Sequence, residues 1–191
     1  MDIMREKLGM FRNLLSLGSS LFHKESTHQV KGELFLKAYE NGKLVHEYNH
    51  HNIIVNTASI LIAGLLKGDT TTGITYLAFG SGSAGWSLLN PPAPSTTQTL
   101  LENEFFRKKI DFTTYVDPSS GQPTQTPTNI VDYSVSLSES EGTGSILELG
   151  LFGNSTATSA INSGVLINWR TIPILSKTNT MTLTVIFRIT T

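Results

Sequence analysis

Few groups of residues in this sequence have the types and spacing for chemistry. The segment His46-Glu47-Tyr48-Asn49-His50-His51 crowds three imidazoles together. Imidazole is the commonest metal ligand, and on a strand His46 and His50 share a face because side chains alternate with period two. A metal site needs a further ligand, however, and no helical H-E-x-x-H or comparable spacing supplies one. These histidines therefore read as solvated residues near a strand end. The run Gly80-Ser81-Gly82-Ser83-Ala84-Gly85 invites comparison with phosphate-cradling loops, but it matches neither G-x-x-x-x-G-K-[ST] nor G-x-G-x-x-G. No helical pattern follows to lend its positive end to an anion. A turn leaving a strand is the expected role.

Carboxylates come next. Glu102 and Glu104, and Glu139 and Glu141, are closely spaced pairs. Glycoside hydrolysis needs two acids facing each other across ~5 to 9.5 Å, and acids adjacent in one polar turn, such as Glu139 and Glu141, suit solvent better. Serine is abundant, but no G-x-S-x-G nucleophile elbow occurs. No catalytic, cofactor-binding or metal-ligating residue is assigned. Glu148 is the odd charge, placed inside Gly144–Asn154, "GSILELGLFGN". On strict alternation Leu147, Leu149 and Leu151 share one face and Ile146, Glu148 and Phe152 the other. An unpaired carboxylate there would cost several kcal/mol, so it must be paired or hydrogen-bonded. Arg107 and Arg170 are the cations in comparable strand contexts, and a structural ion pair of Glu148 with one of them is expected.

Composition narrows the function classes. Charged residues are 15% of the chain, against ~25% in an average soluble protein, and hydrophobic residues are 39%. Ser, Thr and Asn supply the remaining polarity, which suits β-structure and wide polar contacts. The formal charge is −1 from 14 basic and 15 acidic residues, with no block of one sign, so nucleic acid is not an expected partner. Absence of cysteine removes disulfides, thiolate metal sites and cysteine nucleophiles. No apolar run reaches the ~20 residues of a membrane-spanning helix.

The elements that must position these residues follow from periodicity. Residues 1 to 22 carry Met4, Leu8, Phe11, Leu14, Leu15, Leu21 and Phe22 at helical spacing, with Arg5, Glu6, Lys7 and Arg12 breaking any signal-peptide core. This predicts an amphipathic arm, with Met4, Leu8, Phe11, Leu15 and Phe22 near one face. The polar stretch 23 to 29, "HKESTHQ", separates it from a body over 30–191. The stripe is expected to dock on a neighbouring subunit, since an isolated helix of this length is marginal in water. Asn41-Gly42 between two extended runs predicts a type I′ hairpin. Asn56 or Thr57 to Gly68 predicts a capped helix of about three turns. A strand over 74–80 enters the glycine-rich loop, and "NPPAPSTTQT" is a stiff polar connector. Residues 101–103 suggest a helical turn before a strand, and 117–129 a long mobile surface loop. Strict alternation marks "IVDYSVSLSES" (130–140) and "TMTLTVIFRITT" (180–191) as strands. The fold class is mainly β, a jelly-roll-like β-sandwich with one internal helix.

The order of these segments resembles a group of bacteriophage virion proteins of the tail, baseplate and neck. In that group a strand ending in G-x-G leads through a Pro/Thr-rich segment to an L-x-x-E-x-x-R-like stretch, a strand similar to "SELGLF", and an Arg followed by a "P-x-x-K" turn. Here those features fall on Gly80 and Gly82, on Leu101, Glu104 and Arg107, on Glu148, Gly150, Leu151 and Phe152, and on Arg170, Pro173 and Lys177. Leu147 departs from the pattern, as does the length of the 117–129 loop. The resemblance covers residues 30–191 and implies a non-enzymatic, self-assembling virion component, homo-oligomeric, without cofactor, docking other virion proteins, with an adaptor that mounts a fibre among the roles it implies. A capsid decoration protein is an alternative within the virion. A lectin-like β-sandwich is an alternative outside it, with Trp86 as the sugar-stacking residue and Trp169 as core.

Overall fold

The computed structural model describes residues 30–191. The expected arm residues Met4, Leu8, Phe11, Leu15 and Phe22 lie outside the described residues. The body is mainly β with one short helix. Its strands are β1 (Lys31–Glu40), β2 (Lys43–Ile54), β3 (Ile74–Gly80), β4 (Glu104–Lys109), β5 (Phe112–Val116), β6 (Pro123–Thr124), β7 (Ile130–Leu137), β8 (Gly144–Gly153), β9 (Val165–Lys177) and β10 (Met181–Thr190), and its helix is α1 (Ala58–Lys67). All ten strands join one antiparallel sheet in the order β4-β3-β8-β9-β2-β1-β10-β7-β5-β6.

The sheet folds over on itself. Leu34, Leu36, Val135, Leu183, Val185 and Phe187 of the β1-β10-β7 half share one hydrophobic core with Leu77, Phe79, Ile146, Leu149, Leu151 and Ile172 of the β3-β8-β9 half. The chain passes between the halves four times, within β2 and at the β4–β5, β7–β8 and β9–β10 links, and the first two crossings keep the strands paired almost throughout. β2 pairs with β1 over most of its length and then with β9 only at Ile53 and Ile54. β4 pairs with β3, while β5, two residues further on, pairs with β7. Corners of this kind let one strand serve two sheet directions. β10 shows the consequence for sequence: Met181, Leu183, Val185, Phe187 and Ile189 are buried and their neighbours are not, which is the alternation of a strand with one face on the core.

α1 sits over one open end of the folded sheet and buries Ala58 and Leu61 in the core. Gly68 ends it in the left-handed conformation, φ 79°, as expected of a C-terminal glycine. Its start differs from the expectation, because neither Asn56 nor Thr57 caps it through a side chain. The Thr57 hydroxyl donates instead to the Leu166 carbonyl at 2.6 Å, tying the helix to β9. The Asn41-Gly42 hairpin turn has positive φ at both residues, 50° and 75°, which the type I′ geometry requires.

Two expectations for the loops and strands, at residues 101–103 and in β8, are corrected. Residues 101–103 form no helical turn; the N–H groups of Glu102 and Asn103 point to Glu148. Segment 117–129 is hydrogen-bonded back on itself: Asp117 accepts from the Ser119 N–H and hydroxyl, and Pro123 and Thr124 pair with β5. Strict alternation also fails in β8. Ile146 lies in the same core as Leu149 and Leu151, because the β8–β9 register shifts between Ile146 and Glu148. The opposing part of β9 contains Pro173, which has no N–H to give a ladder. The next N–H, of Ile174, donates to the carbonyl of Leu88, just before the connector, at 2.7 Å.

Candidate functional site

The outer face of the β3-β8-β9 half carries a second, smaller apolar cluster of Val55, Ala78, Leu101, Phe152, Leu166 and Trp169, with Trp86 packed against it. β8 is therefore covered on both sides, which accounts for the almost unbroken apolar run around Glu148. Glu148 is fully buried there. Its Oε1 accepts the N–H groups of Gly82 (3.2 Å) and Asn103 (3.0 Å), and its Oε2 accepts the Glu102 N–H (3.1 Å) and the Trp169 indole N–H (2.9 Å). Neither Arg107 nor Arg170 pairs with it, so the expected Glu148 ion pair with one of them is wrong. Four N–H dipoles can compensate a buried carboxylate without the cost of desolvating a second charge.

Several sequence features converge on this carboxylate. A Cβ on Gly80 would lie 2.5 Å from Glu148 Oε1, so the strand end must be glycine for the carboxylate to lie across it. Gly82 has φ +67°, presents its N–H to Glu148, and has the Trp86 ring against its Cα, where a Cβ would come within 2.3 Å of Cε3. Trp86 and Trp169 are neighbours, with ring centroids 6.1 Å apart. The glycine-rich loop is thus a seat for a carboxylate of this same chain. Glu148 pins together the β3 exit, the approach to β4, and strands β8 and β9. A carboxylate offers about four acceptor sites, and here each oxygen already receives two donors.

The buried ion pair in this region is Glu104–Arg107. Arg107 Nη2 donates to Glu104 Oε2 at 2.7 Å, and both side chains are almost wholly inaccessible. Residues three apart normally face opposite sides of a strand. A register shift at the Gly80–Glu104 end of the β3–β4 pairing turns both Phe105 and Phe106 toward the core and leaves Glu104 and Arg107 on one side. Arg107 lies 4.6 Å over the Phe152 ring and donates to the carbonyls of Thr158 and Ser163 and to the Ser163 hydroxyl. Glu104 accepts the N–H of Asn162 at 3.1 Å. Together they close the 154–164 loop onto the sheet. The Leu101/Glu104/Arg107 spacing was visible in the sequence, but the bulge that lets its acid and base meet was not.

Arg170 is elsewhere. Its Nη1 donates to the His51 carbonyl at 2.9 Å while Nε is buried without an acceptor among the described residues, and burial holds its pKa below the usual arginine value. Lys177 is buried beneath the turn after β7, where Nζ donates to the carbonyls of Ser138 and Glu139, and burial lowers its pKa. Glu141, expected to be solvated, accepts the Ser138 N–H and the Lys108 ammonium at 2.9 Å each. The Ser138 N–H, then the Lys108 contact, hold its carboxyl down at about 2. Its neighbour Glu139 is exposed.

The histidines remain apart from these clusters. His46 and His50 stand opposite Ala38 and Leu34 and share a face, yet both are exposed, as is His51. Among the described residues no group of three or more His, Asp or Glu is placed to hold a metal ion, and no helix is long and apolar enough to cross a membrane.

The surface offers two features suited to association. Large apolar side chains are exposed on α1 (Ile60, Ile62, Leu65, Leu66), just before the connector (Leu88, Leu89) and on β5 (Phe112). Among the described residues, the edge of β2 away from β1 has no strand partner from Lys43 to Asn52. A comparison with models of known protein families finds no match to this chain, and a comparison with curated protein sequences finds none either.

Proposed function

We propose that this chain is a non-enzymatic structural component of a bacteriophage virion, in the tail, baseplate or neck, which self-assembles and docks other virion proteins. The observation that carries the reading is where the family-like motif residues are used. Gly80, Gly82, Glu148, Glu104, Arg107 and Lys177 all act on the chain itself, as hydrogen-bond and ion-pair anchors of its loops. An ordered motif set spent on internal anchors fits a building block whose shape is its product. Leu88 and Leu89, just before the connector (55% and 72% exposed), and Phe112 on β5 (74% exposed) provide apolar surface for association. The open edge of β2 adds a polar, strand-pairing surface.

Two tests apply. Sedimentation of the full chain is expected to give a defined oligomer, and a stable monomer at all concentrations would remove self-assembly from the reading. Mass spectrometry and immunogold labelling of purified particles are expected to place the chain on the tail, baseplate or neck. Absence from particles overturns the proposal, and labelling over the shell selects the capsid decoration protein instead. The lectin reading has less to support it, since Trp169 is buried with its N–H given to Glu148 and Trp86 is half-buried against Gly82.

A further inference from the structure

Where α1 covers the open end of the folded sheet, it does not fill it. A cavity of about 240 Å³ remains between the helix and the strand ends, lined by Leu61, Ile62 and Leu65 of α1, Tyr133 of β7, Ile189 of β10, and Val30. Its lining is almost wholly apolar, and no described residue occupies it. A cavity of about 150 Å³ lined by such side chains binds a benzene ring, so this one has room for a phenyl ring and part of a second side chain. Ile62 and Leu65, at its rim, are 46% and 42% exposed, and Leu66 continues the apolar surface outward along the helix.

Val30 says what lies nearest. It is the first described residue, it lines the cavity, and the preceding chain begins there. Counting back from it, seven polar residues, "HKESTHQ", lead to Leu21 and Phe22, the end of the amphipathic stripe. Eight peptide steps span at most ~27 Å. The stripe is therefore tethered within reach of the cavity at an effective concentration of order millimolar. The rim side chains Ile62, Leu65 and Leu66 of α1 are exposed among the described residues.

We propose that this cavity is the seat of the chain's own N-terminal segment, with Leu21 and Phe22 inserted between α1 and the strand ends and the preceding stripe lying along Ile62, Leu65 and Leu66. The arm thereby completes the core of its own subunit, where periodicity alone pointed to a neighbouring one. This assignment stands on the cavity and the position of Val30, and holds whether or not the chain belongs to a virion.

The absence of cysteine makes the test clean. In the full chain, Ser20→Cys or His23→Cys is combined with Leu65→Cys, and oxidation is followed by non-reducing mass analysis, with Ser119→Cys as the distant control in place of Leu65→Cys. The expected result is a disulfide within one chain for the Leu65 pairs and none for the control. Adding Phe22→Asp should slow its formation by roughly tenfold or more, the loss expected from one buried phenyl ring. Disulfide-linked dimers would assign the cavity to the arm of a second copy, and no disulfide above the control would leave the arm elsewhere; either overturns the proposal. The oligomer and particle tests above can fail without affecting this one.

Discussion

Replacing Glu148 by glutamine keeps the size of the side chain but turns one of its two acceptor oxygens into an NH2 donor. Whichever way the amide lies, two of the four N–H groups at 2.9 to 3.2 Å then face another donor. Each buried N–H left without an acceptor costs ~1 to 3 kcal/mol, and the remaining two bonds lose the strength that a charged acceptor gives. The sum is about 4 kcal/mol, which for a chain of this length lowers the Tm by roughly 8 to 16 °C. A far-UV circular dichroism melt measures the global change. Trp169 supplies one of the four donors, so Trp169→Phe should be non-additive with Glu148→Gln by ~1 kcal/mol or more in a double-mutant cycle. A salt-screened surface pair would respond to added NaCl, whereas this buried set should not. The reasoning is refuted if Glu148→Gln melts within ~2 °C of the parent, or if the cycle with Trp169→Phe shows no coupling while one with Arg170→Ala does.

Other outcomes follow from the same geometry. Gly82→Ala should cost more stability than Gly85→Ala in urea titrations, since Gly82 combines positive φ with a Cβ clash against Trp86 whereas a Cβ on Gly85 meets nothing within 4 Å. Arg107→Lys should lose the two-pronged contact with Glu104, destabilise by about 3 kcal/mol, and speed amide hydrogen exchange over 158–163, where Arg107 and Glu104 hold the loop. Glu141 is held at about 2 against an ordinary 4.5, so it binds fewer protons folded than unfolded. Its contribution to stability is present above about pH 4.5 and is lost as the pH falls toward 2, and Glu141→Gln should flatten urea-derived stability across that window only.

Much of the fold was legible because its signals are local. Asn41-Gly42 dictates a turn through the φ > 0 both residues tolerate, Gly68 ends a helix for the same reason, and Met181 to Ile189 alternate because a strand has period two. That Glu148 needed partners was also readable, since desolvation of a carboxylate is a property of its burial. Which partners it has was not. The Gly82, Glu102 and Asn103 N–H groups are backbone atoms that every residue carries, so no side-chain pattern marks them, and they meet Glu148 across 45 to 66 residues of chain. Arg107 meets Glu104 only because a one-residue register shift reverses which side each faces, and such shifts are set by pairing with β3. The sequence by itself determined most of the strands, the Asn41-Gly42 turn, the helix and the presence of a buried charge, through propensities that act over a few residues. Tertiary structure alone decided that the sheet folds over to share one core, that the glycine loop cradles a carboxylate, and that a cavity opens beside Val30, because each depends on segments brought together by closure of the sheet.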